Sequence, residues 1–517
     1  MQYLMAIDAG TGSVRAVIFD DEGHQISVAS REWTHLELEG VPNSMSFDTQ
    51  KNWELTKECI KESLALAGLM PEHIVAVSAT SMREGIVLYD KEGKELWAVA
   101  NVDARASDEV KYLKEYFEGV EEEFYALSGQ TFALGALPRL LWLKNHEPEL
   151  YEQVASISMI GDWILAKLSG VIATDPSNGG TTGIFSLKER QWVKEMAKGV
   201  GLKDNIFPPV YETGRVIGNV INEESGLSKT TKVVMGGGDV QLGSAGLGVT
   251  EFGQVAILGG SFWQQIVNIN SHTQPPKDIS MRINPHVIDG LSQAEGITFF
   301  SGLIMRWFRD AFCDLEKLEA QKRGVDTYKV LEERAKKVPV GSYEIMPIFS
   351  DVMNYGKWYH ASPSFINLSI DPTICNKASM FRALEENACM VSDINLKKIQ
   401  EFTGVKINEI VFAGGASKGE LWCQILADVT GCRVKIPKVT EATALGGVMA
   451  AGVGVGIYDS ISTAAKKLVQ WEREYTPNQE NHITYQALQK RWQEVYKKQL
   501  TLVDKGLTQS MWKAPGV

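Results

Sequence analysis

Asp8, Gly10, Thr11, Gly12, Ser13 and Arg15 stand between two runs of β-forming residues, Met5 to Ile7 and Val14 to Phe19. This is the composition of a hairpin whose turn grips an anion. Glycines admit the backbone, N–H groups and the Thr11 and Ser13 hydroxyls donate, Arg15 brings charge, and Asp8 can hold a metal through water. A nucleoside triphosphate suits such a turn. Further on, the apolar run Val233 to Met235 feeds Gly236-Gly237-Gly238-Asp239-Val240-Gln241-Leu242-Gly243, which reads as a glycine-rich loop carrying an acid. Three glycines in a row are costly unless something approaches the backbone closely. Val255 to Leu258, Gly259-Gly260-Ser261 and Phe262 to Val267 form a looser copy of the first hairpin. Glu409 to Ala413 opens through Gly414-Gly415-Ala416-Ser417 toward a helix over 420–430, a junction where backbone can lie against a flat ligand. Arg83 and Glu84 follow the strand Ile74 to Val77, at the strand end where open α/β sheets place ligands; a surface ion pair is the alternative.

The intervening pattern supplies the elements that must hold these residues. Ser46-Phe47-Asp48 caps a helix running to Ala67, with Trp53, Ile60 and Leu64 on one face and Gly68 ending it. A strand is expected over Ile86 to Tyr89, and helices over 106–117, 121–128 and 138–145. Asp162-Trp163 lies on a helix ending at Ser169-Gly170, and the polar run Ala173 to Asn178 reads as a loop. Glu441 begins a helix of tiny residues suited to close packing, and the charged helices over 484–503 read as a solvated outer layer. Strands interleaved with helices indicate an α/β sheet protein.

A chain of 517 residues is about three times the roughly 150-residue domain prior, so at least two large domains are expected. A formal charge of −12 argues against general affinity for nucleic acid or anionic membrane. No apolar run approaches the length of a membrane span, and the chain enters a strand without a signal-peptide charge pattern, so a cytoplasmic protein is expected. Six scattered cysteines lack a C-x-x-C pair and the eight histidines lack metal-site spacing; buried, reduced thiols are the expectation.

The Asp-x-Gly-Thr turn, the Asp239 segment, the second Gly/Ser turn and the Gly-Gly-Ala junction occur in one order. In that order the chain resembles, over nearly its whole length, the carbohydrate kinase family that includes glycerol, xylulose, ribulose and gluconate kinases. The segments Ser81 to Tyr89, Ala100 to Ala106, Gly236 to Gly243 and Met305 to Cys313 add to it. The resemblance implies an α/β fold of two actin-like, ribonuclease-H-like domains facing each other across a catalytic cleft. Residues 1–248 would bind the acceptor and carry the base; residues 249–517 would bind nucleotide and end in helices. By position, Thr11, Gly12, Ser13 and Arg15 match the first phosphate motif, Gly259, Gly260 and Ser261 the second, and Gly415, Ala416 and Ser417 the adenosine motif. Asp8 and Asp239 fall near the magnesium, and Asp239 on the catalytic base. Arg83, Glu84, Gln241 and Asp103 fall at the acceptor, with Arg105 beside it and Trp263, Gln264 and Gln265 as its walls. The chain departs from the family pattern at Gly260, where most members have Thr, leaving Gly260 or its neighbour Ser261 as the phosphate contact. It departs also at Arg139, usually Lys, and at Met346 to Asp351, which replaces a Pro-x-Trp-Asp segment.

The implied activity is transfer of a phosphoryl group from ATP, with Mg2+, to the terminal primary hydroxyl of a small polyhydroxylated molecule. Such transfer needs an in-line acceptor, a neutralised polyphosphate and a group to take the hydroxyl proton, which Asp239 can supply. The rivals are a kinase for a ketose, polyol or aldonate, and a sugar or nucleotide sensor without chemistry. An aldonate would call for an extra Arg or Lys that no motif identifies, and the intact Asp8, Arg15 and Asp239 speak against a sensor. The expected partner is a small-molecule substrate, with no nucleic acid and no membrane; protein partners stay open.

Overall fold

The computed structural model describes residues 2–116, 119–351, 360–439 and 441–512. The first half contains β1 (Tyr3–Ala9), β2 (Ser13–Asp20), β3 (Gln25–Glu32), α1 (Thr49–Ala67), β4 (Ile74–Ser81), α2 (Ile160–Ser169), β5 (Val216–Asn219), β6 (Lys232–Gly238) and α3 (Asp239–Gly246). Its sheet has the order β5-β6-β4-β1-β2-β3, with β1 antiparallel to β2 and parallel to β4.

The second half contains β7 (Val255–Gly259), β8 (Trp263–Asn270), β9 (Arg282–Pro285), β10 (Leu291–Thr298), α4 (Ser301–Phe312), α5 (Lys377–Thr403), β11 (Glu409–Ala413), α6 (Glu420–Thr430), β12 (Arg433–Pro437), α7 (Ala442–Gly454), α8 (Ile461–Leu468), β13 (Trp471–Tyr475) and α9 (Gln479–Asp504). Its sheet runs β9-β10-β8-β7-β11-β12-β13. The runs β3-β2-β1-β4-β6 and β10-β8-β7-β11-β12 have the same order: three antiparallel strands, then two parallel additions beside the first of them. The looser copy seen in the sequence is therefore a repeat of topology.

Strand alternation decides which residues of the first sheet face which layer. Met5, Ile7 and Ala9, with Val14, Ala16 and Ile18, pack with Trp53, Ile60 and Leu64 of α1 and Trp163 and Ile164 of α2. Leu4, Ala6, Val17 and Phe19 lie on the other face, against Leu242 and Ala245 of α3 and Ala444, Leu445 and Val448 of α7. Asp8 and Arg15 share the parity of this second set and so project toward α3 and α7. Those two helices meet at small residues: a Cβ on Gly246 would sit 1.9 Å from the Ala442 carbonyl oxygen, and one on Gly446 1.9 Å from that of Leu242. The helix of tiny residues thus closes the first sheet from the second half of the chain.

Several local expectations hold. Asp48 caps α1 by accepting from the Lys51 amide, and Gly68 ends it at φ 65°. Of the three short helices expected, the first spans Ser107–Tyr116, and Phe117 lies outside the described residues. Five of the six thiols are buried and Cys375 is half-buried. Three readings are corrected. Gly236 to Gly238 are the end of β6, not a loop, because β6 pairs with β4 through Gly237↔Thr80 and Gly238↔Ser81. A Cβ on Gly236 would sit 1.7 Å from the Ala79 carbonyl oxygen, so the glycines admit a neighbouring strand as well as any ligand. The polar run at Ala173 holds a short helix, Pro176–Gly179, capped by Asp175. Finally α9 is not merely solvated: Tyr485, Gln489 and Trp492 are buried, and the Trp492 indole donates to the Pro347 carbonyl at 2.8 Å.

Candidate active site

The tip of the first hairpin, Thr11 and Gly12, is exposed and held from behind. The Trp33 indole donates to the Gly10 carbonyl at 3.0 Å and His35 Nε2 to the Thr11 carbonyl at 2.6 Å, so the turn is fixed through its carbonyls while Thr11 and Gly12 stay exposed. Arg15 projects toward α7, where its guanidinium donates to Glu441 at 3.0 Å; the expected phosphate-binding cation already has a carboxylate partner. Burial, followed by repulsion from Asp239, pushes the Asp8 carboxyl up to about 7 against the pull of Arg15.

Asp239 is the first residue of α3, placed there by β6. Its backbone is fixed through Gly238, whose amide donates at 2.9 Å to the Ser177 hydroxyl, which in turn donates to Asp175 at 2.6 Å. The Asp239 side chain is about one-third exposed, beside Arg83. Burial pushes its carboxyl up to about 6; Arg83 pulls it down, while Glu84 and Glu295 add to the rise.

Arg83 is buried and the Glu84 side chain is only 13% exposed, which overturns the surface-pair alternative. Each meets a partner from the second sheet. Arg83 donates to Glu295 on β10 at 2.7 Å, with its Nε 3.8 Å from Asp239. Glu84 is paired with Arg282 on β9, whose Nε donates to Gln130 at 2.8 Å. Burial alone would raise the Glu84 carboxyl, but Arg282, Arg83 and Arg139 outweigh it and hold it below the usual range. Glu84 adopts φ 66°, a left-handed conformation that a non-glycine residue rarely takes. Arg139, the departure from Lys, donates to the carbonyls of Glu84, Asn101 and Asp103, which its planar fork of donors reaches from one fixed side chain. The Asn101 side chain donates to the Thr11 hydroxyl at 3.1 Å, so one chain of bonds links the first hairpin turn to the loop of Arg83 and Glu84.

Gln241 is buried beside this group and donates to Glu295 at 3.2 Å. Asp103 is not where an acceptor contact was expected: its carboxylate is buried, accepts from the Met45 amide at 2.6 Å and pairs with Arg105, which stacks on Trp142. Both are scaffold. Trp263 and Gln265 are corrected likewise. Trp263 belongs to the second core, and Gln265 is fully buried, donating to Ser392 at 3.0 Å and accepting from Asn395 at 2.8 Å; Gln264 is half-buried.

In the second half the turn at Gly260 and Ser261 is exposed, backed by the junction after β11. Gly414 has φ 95°, and a Cβ there would meet Gly259 backbone at 2.8 Å; one on Gly259 would meet Phe412 at 2.7 Å. A Cβ on Gly415 would meet nothing, leaving a flat open backbone surface. Ala416 and Ser417 are buried, and the Ser417 hydroxyl is spent on the Gly414 carbonyl at 2.8 Å.

The sequence reading missed Glu295, Arg282 and Glu441. The one local signal, for Glu295 and Arg282, was a lone charge within an otherwise uncharged strand.

Among the described residues, no three His, Cys, Asp or Glu side chains converge as a metal cage. Magnesium asks for less: one or two carboxylates, with waters and phosphate oxygens completing the shell. Asp8 and Asp239 fit that demand, because the repulsion Asp239 exerts on Asp8 is one that a divalent cation relieves.

The same fold recurs in solved structures. A ligand-bound xylulose kinase from Lactobacillus acidophilus superposes with a TM-score of 0.84 at 20% identity, covering 96% of this chain and 98% of that one. Plasmodium falciparum glycerol kinase with ADP gives 0.83 at 16% identity, covering 96% and 98%. The fold is therefore two actin-like, ribonuclease-H-like domains facing each other. In sequence the chain is 58% identical to an autoinducer-2 kinase of Yersinia enterocolitica, covering 100% of this chain and 98% of that protein, and equally so to one of Yersinia pestis. The models for the N-terminal and C-terminal domains of the FGGY carbohydrate kinases match residues 3–246 and 269–455, and the chain belongs to the FGGY family of carbohydrate kinases.

Proposed function

We propose that this kinase transfers the γ-phosphoryl group of ATP to the terminal primary hydroxyl of dihydroxypentanedione, the linear form of autoinducer-2. The observation that carries the choice of acceptor is the 58% identity, end to end, with autoinducer-2 kinases. The electrostatics of the cleft agree with an uncharged acceptor. Arg83, Arg282 and Arg139 surround Glu84, but Glu295, Glu84 and backbone carbonyls already match them, so no guanidinium is left over for the carboxylate of an aldonate.

In this reading the half formed by residues 1–248 holds the acceptor, with Glu84 accepting from its hydroxyls and Arg83 donating to a hydroxyl or carbonyl oxygen beside Gln241. The half formed by residues 249–517 holds the nucleotide, the open Gly415 backbone lying against adenosine and the Gly260–Ser261 turn against phosphate. Thr11, Gly12 and Ser13 donate to phosphate from the opposite side, and Arg15 reaches it by leaving Glu441. Asp8 and Asp239 hold magnesium, which when bound neutralises the polyphosphate charge. Asp239 accepts the proton of the primary hydroxyl as that oxygen bonds to the γ-phosphorus and the bond to the β–γ bridging oxygen breaks. A carboxyl pushed up to about 6 is ionised at neutral pH yet holds a proton more firmly than an ordinary aspartate. Among the described residues no helix is long and apolar enough to cross a membrane, in keeping with a dissolved small-molecule substrate.

Coupled ATP turnover with dihydroxypentanedione, glycerol, xylulose, ribulose and gluconate, with Asp239→Asn as control, tests the assignment. Asp239-dependent turnover of dihydroxypentanedione above the others is expected. Preference for a sugar would overturn the acceptor, and an equally fast Asp239→Asn variant would overturn the base.

A further inference from the structure

Glu295 belongs to no motif that marks the site, yet it sits at the centre of the acceptor network. It lies on β10, opposite Arg282 on β9, and is fully buried. One carboxylate oxygen, Oε1, collects three donors from three elements: Arg83 at 2.7 Å, Asn284 at 2.7 Å and Gln241 at 3.2 Å. The other, Oε2, is buried and has no hydrogen-bond partner among the described residues. A buried carboxylate that gathers donors on one oxygen while leaving the other unmatched is a poor device for stability. It is an effective one for fixing a guanidinium.

Arg83 is the donor whose position bears on chemistry. Its Nη1 is committed to Glu295, while its Nε stands 3.8 Å from Asp239, outside hydrogen-bond distance but well within Coulomb range. Without the pull of Glu295, the same guanidinium could pair bidentately with Asp239, the geometry that arginine and carboxylate favour. Such a pair would occupy the oxygens that must receive the acceptor proton.

We propose that Glu295 is a positioning residue for phosphoryl transfer: it holds Arg83 back from Asp239, so that Asp239 stays open to the acceptor hydroxyl while Arg83 stays close enough to bind the acceptor. Because Glu295 comes from the second sheet and Arg83, Gln241 and Asp239 from the first half, the acceptor site is complete only when the two halves are apposed. The assignment rests on the reading of Asp239 as the base.

Steady-state kinetics with ATP and dihydroxypentanedione tests it in the full chain. Glu295→Gln keeps the shape and removes the charge. Its kcat is expected to fall about 10- to 100-fold with KM for ATP within about twofold of wild type, a split that a loosened fold would not give. In an Arg83→Ala background the same change is expected to cost less than about threefold, because the residue through which it acts is gone. A wild-type kcat for Glu295→Gln, or full additivity of the two changes, would overturn the proposal. Should Glu295→Gln fail to fold, Glu295→Asp carries the test: its carboxylate is withdrawn from Arg83 by one methylene, a several-fold lower kcat is expected, and a wild-type value overturns. The Asp239→Asn variant separates the two assignments. If it is inactive while Glu295→Gln is fully active, only the positioning role fails; if it is fully active, the base fails and the positioning role with it.

Discussion

The two hairpins that open the two sheets occupy equivalent places in one repeated topology, yet they are built from different chemistry. The first ends in charged side chains: Asp8 and Arg15 project toward α7, and Arg15 meets Glu441. The second ends in backbone. Gly259 leans on Gly414, and Gly260 and Ser261 on Gly302 of α4, so closely that none of Gly259, Gly414 and Gly302 has room for a Cβ, while Gly415 leaves an open face. The same strand order thus presents charge on one side of the cleft and bare peptide on the other. That division suits phosphoryl transfer, in which charge must be met at the polyphosphate and the rest of the nucleotide only gripped.

Changes on the charged side should therefore affect rate, and those on the peptide side folding and nucleotide affinity. The largest effect is expected from Asp239→Asn. Loss of a general base lowers kcat by about 10²- to 10⁴-fold, and isothermal titration should find ATP-analogue binding nearly unchanged; a parallel loss of nucleotide affinity would break the contrast. Next is Gly414→Ala, which forces a side chain onto φ 95°, ψ −172° against Gly259 backbone. A destabilisation of about 1–3 kcal/mol is expected from such strain, seen by chemical denaturation, together with a raised KM for ATP. Gly12→Ala, whose Cβ would meet nothing, is the paired control and should leave stability alone.

The seam between the halves gives a smaller, pH-dependent effect. His286, beside Ser244 of α3, is buried, and burial followed by repulsion from Arg190 lowers its pKa from 6.5 to about 3. Below the unfolded value the unfolded chain takes up a proton that the folded one refuses. Stability contributed by neutral His286 is therefore full above about pH 6.5 and declines as pH falls toward about 3, by up to about 1.4 kcal/mol per unit. His286→Asn, which can still accept the Ile288 amide bond, should flatten that slope in denaturation curves collected between about pH 5 and 7; an unchanged slope would remove His286 from the account. The smallest effect belongs to Glu441→Gln. The pair with Arg15 is partly exposed, so its loss should cost no more than about 1 kcal/mol of stability, while KM for ATP should fall if Arg15 must leave Glu441 to reach phosphate.

Much of the site could be read in the chain because its parts are local. A hairpin tip needs glycines and small hydroxyls within a few residues, and a strand leading into a helix through Gly-Gly-Ala announces a close backbone approach. Asp48 and Gly68 punctuate α1 for the same reason: each cap is a bond three residues away, from the Lys51 amide to Asp48 and from the Gly68 amide to the Ala65 carbonyl. The misreadings have one cause. Gly236 to Gly238 look like a loop until β4 is laid beside them, and Asp103 looks available until Arg105 and the Met45 amide occupy it.

By itself the sequence determined the strands and helices, the glycine turns, the acid at the end of β6 and the kinship with carbohydrate kinases, because each is written in neighbouring residues or in their order. Tertiary structure alone decided the partners. Arg15 meets Glu441 across 426 residues, Arg83 meets Glu295 across 212, and Glu84 meets Arg282 across 198. Those pairings set which charges are cancelled, which carboxylate stays open and where its proton affinity lies. They follow from the apposition of the two halves and the contact of α3 with α7, since Coulomb and hydrogen-bond energies depend on distance in space, which separation along the chain does not fix.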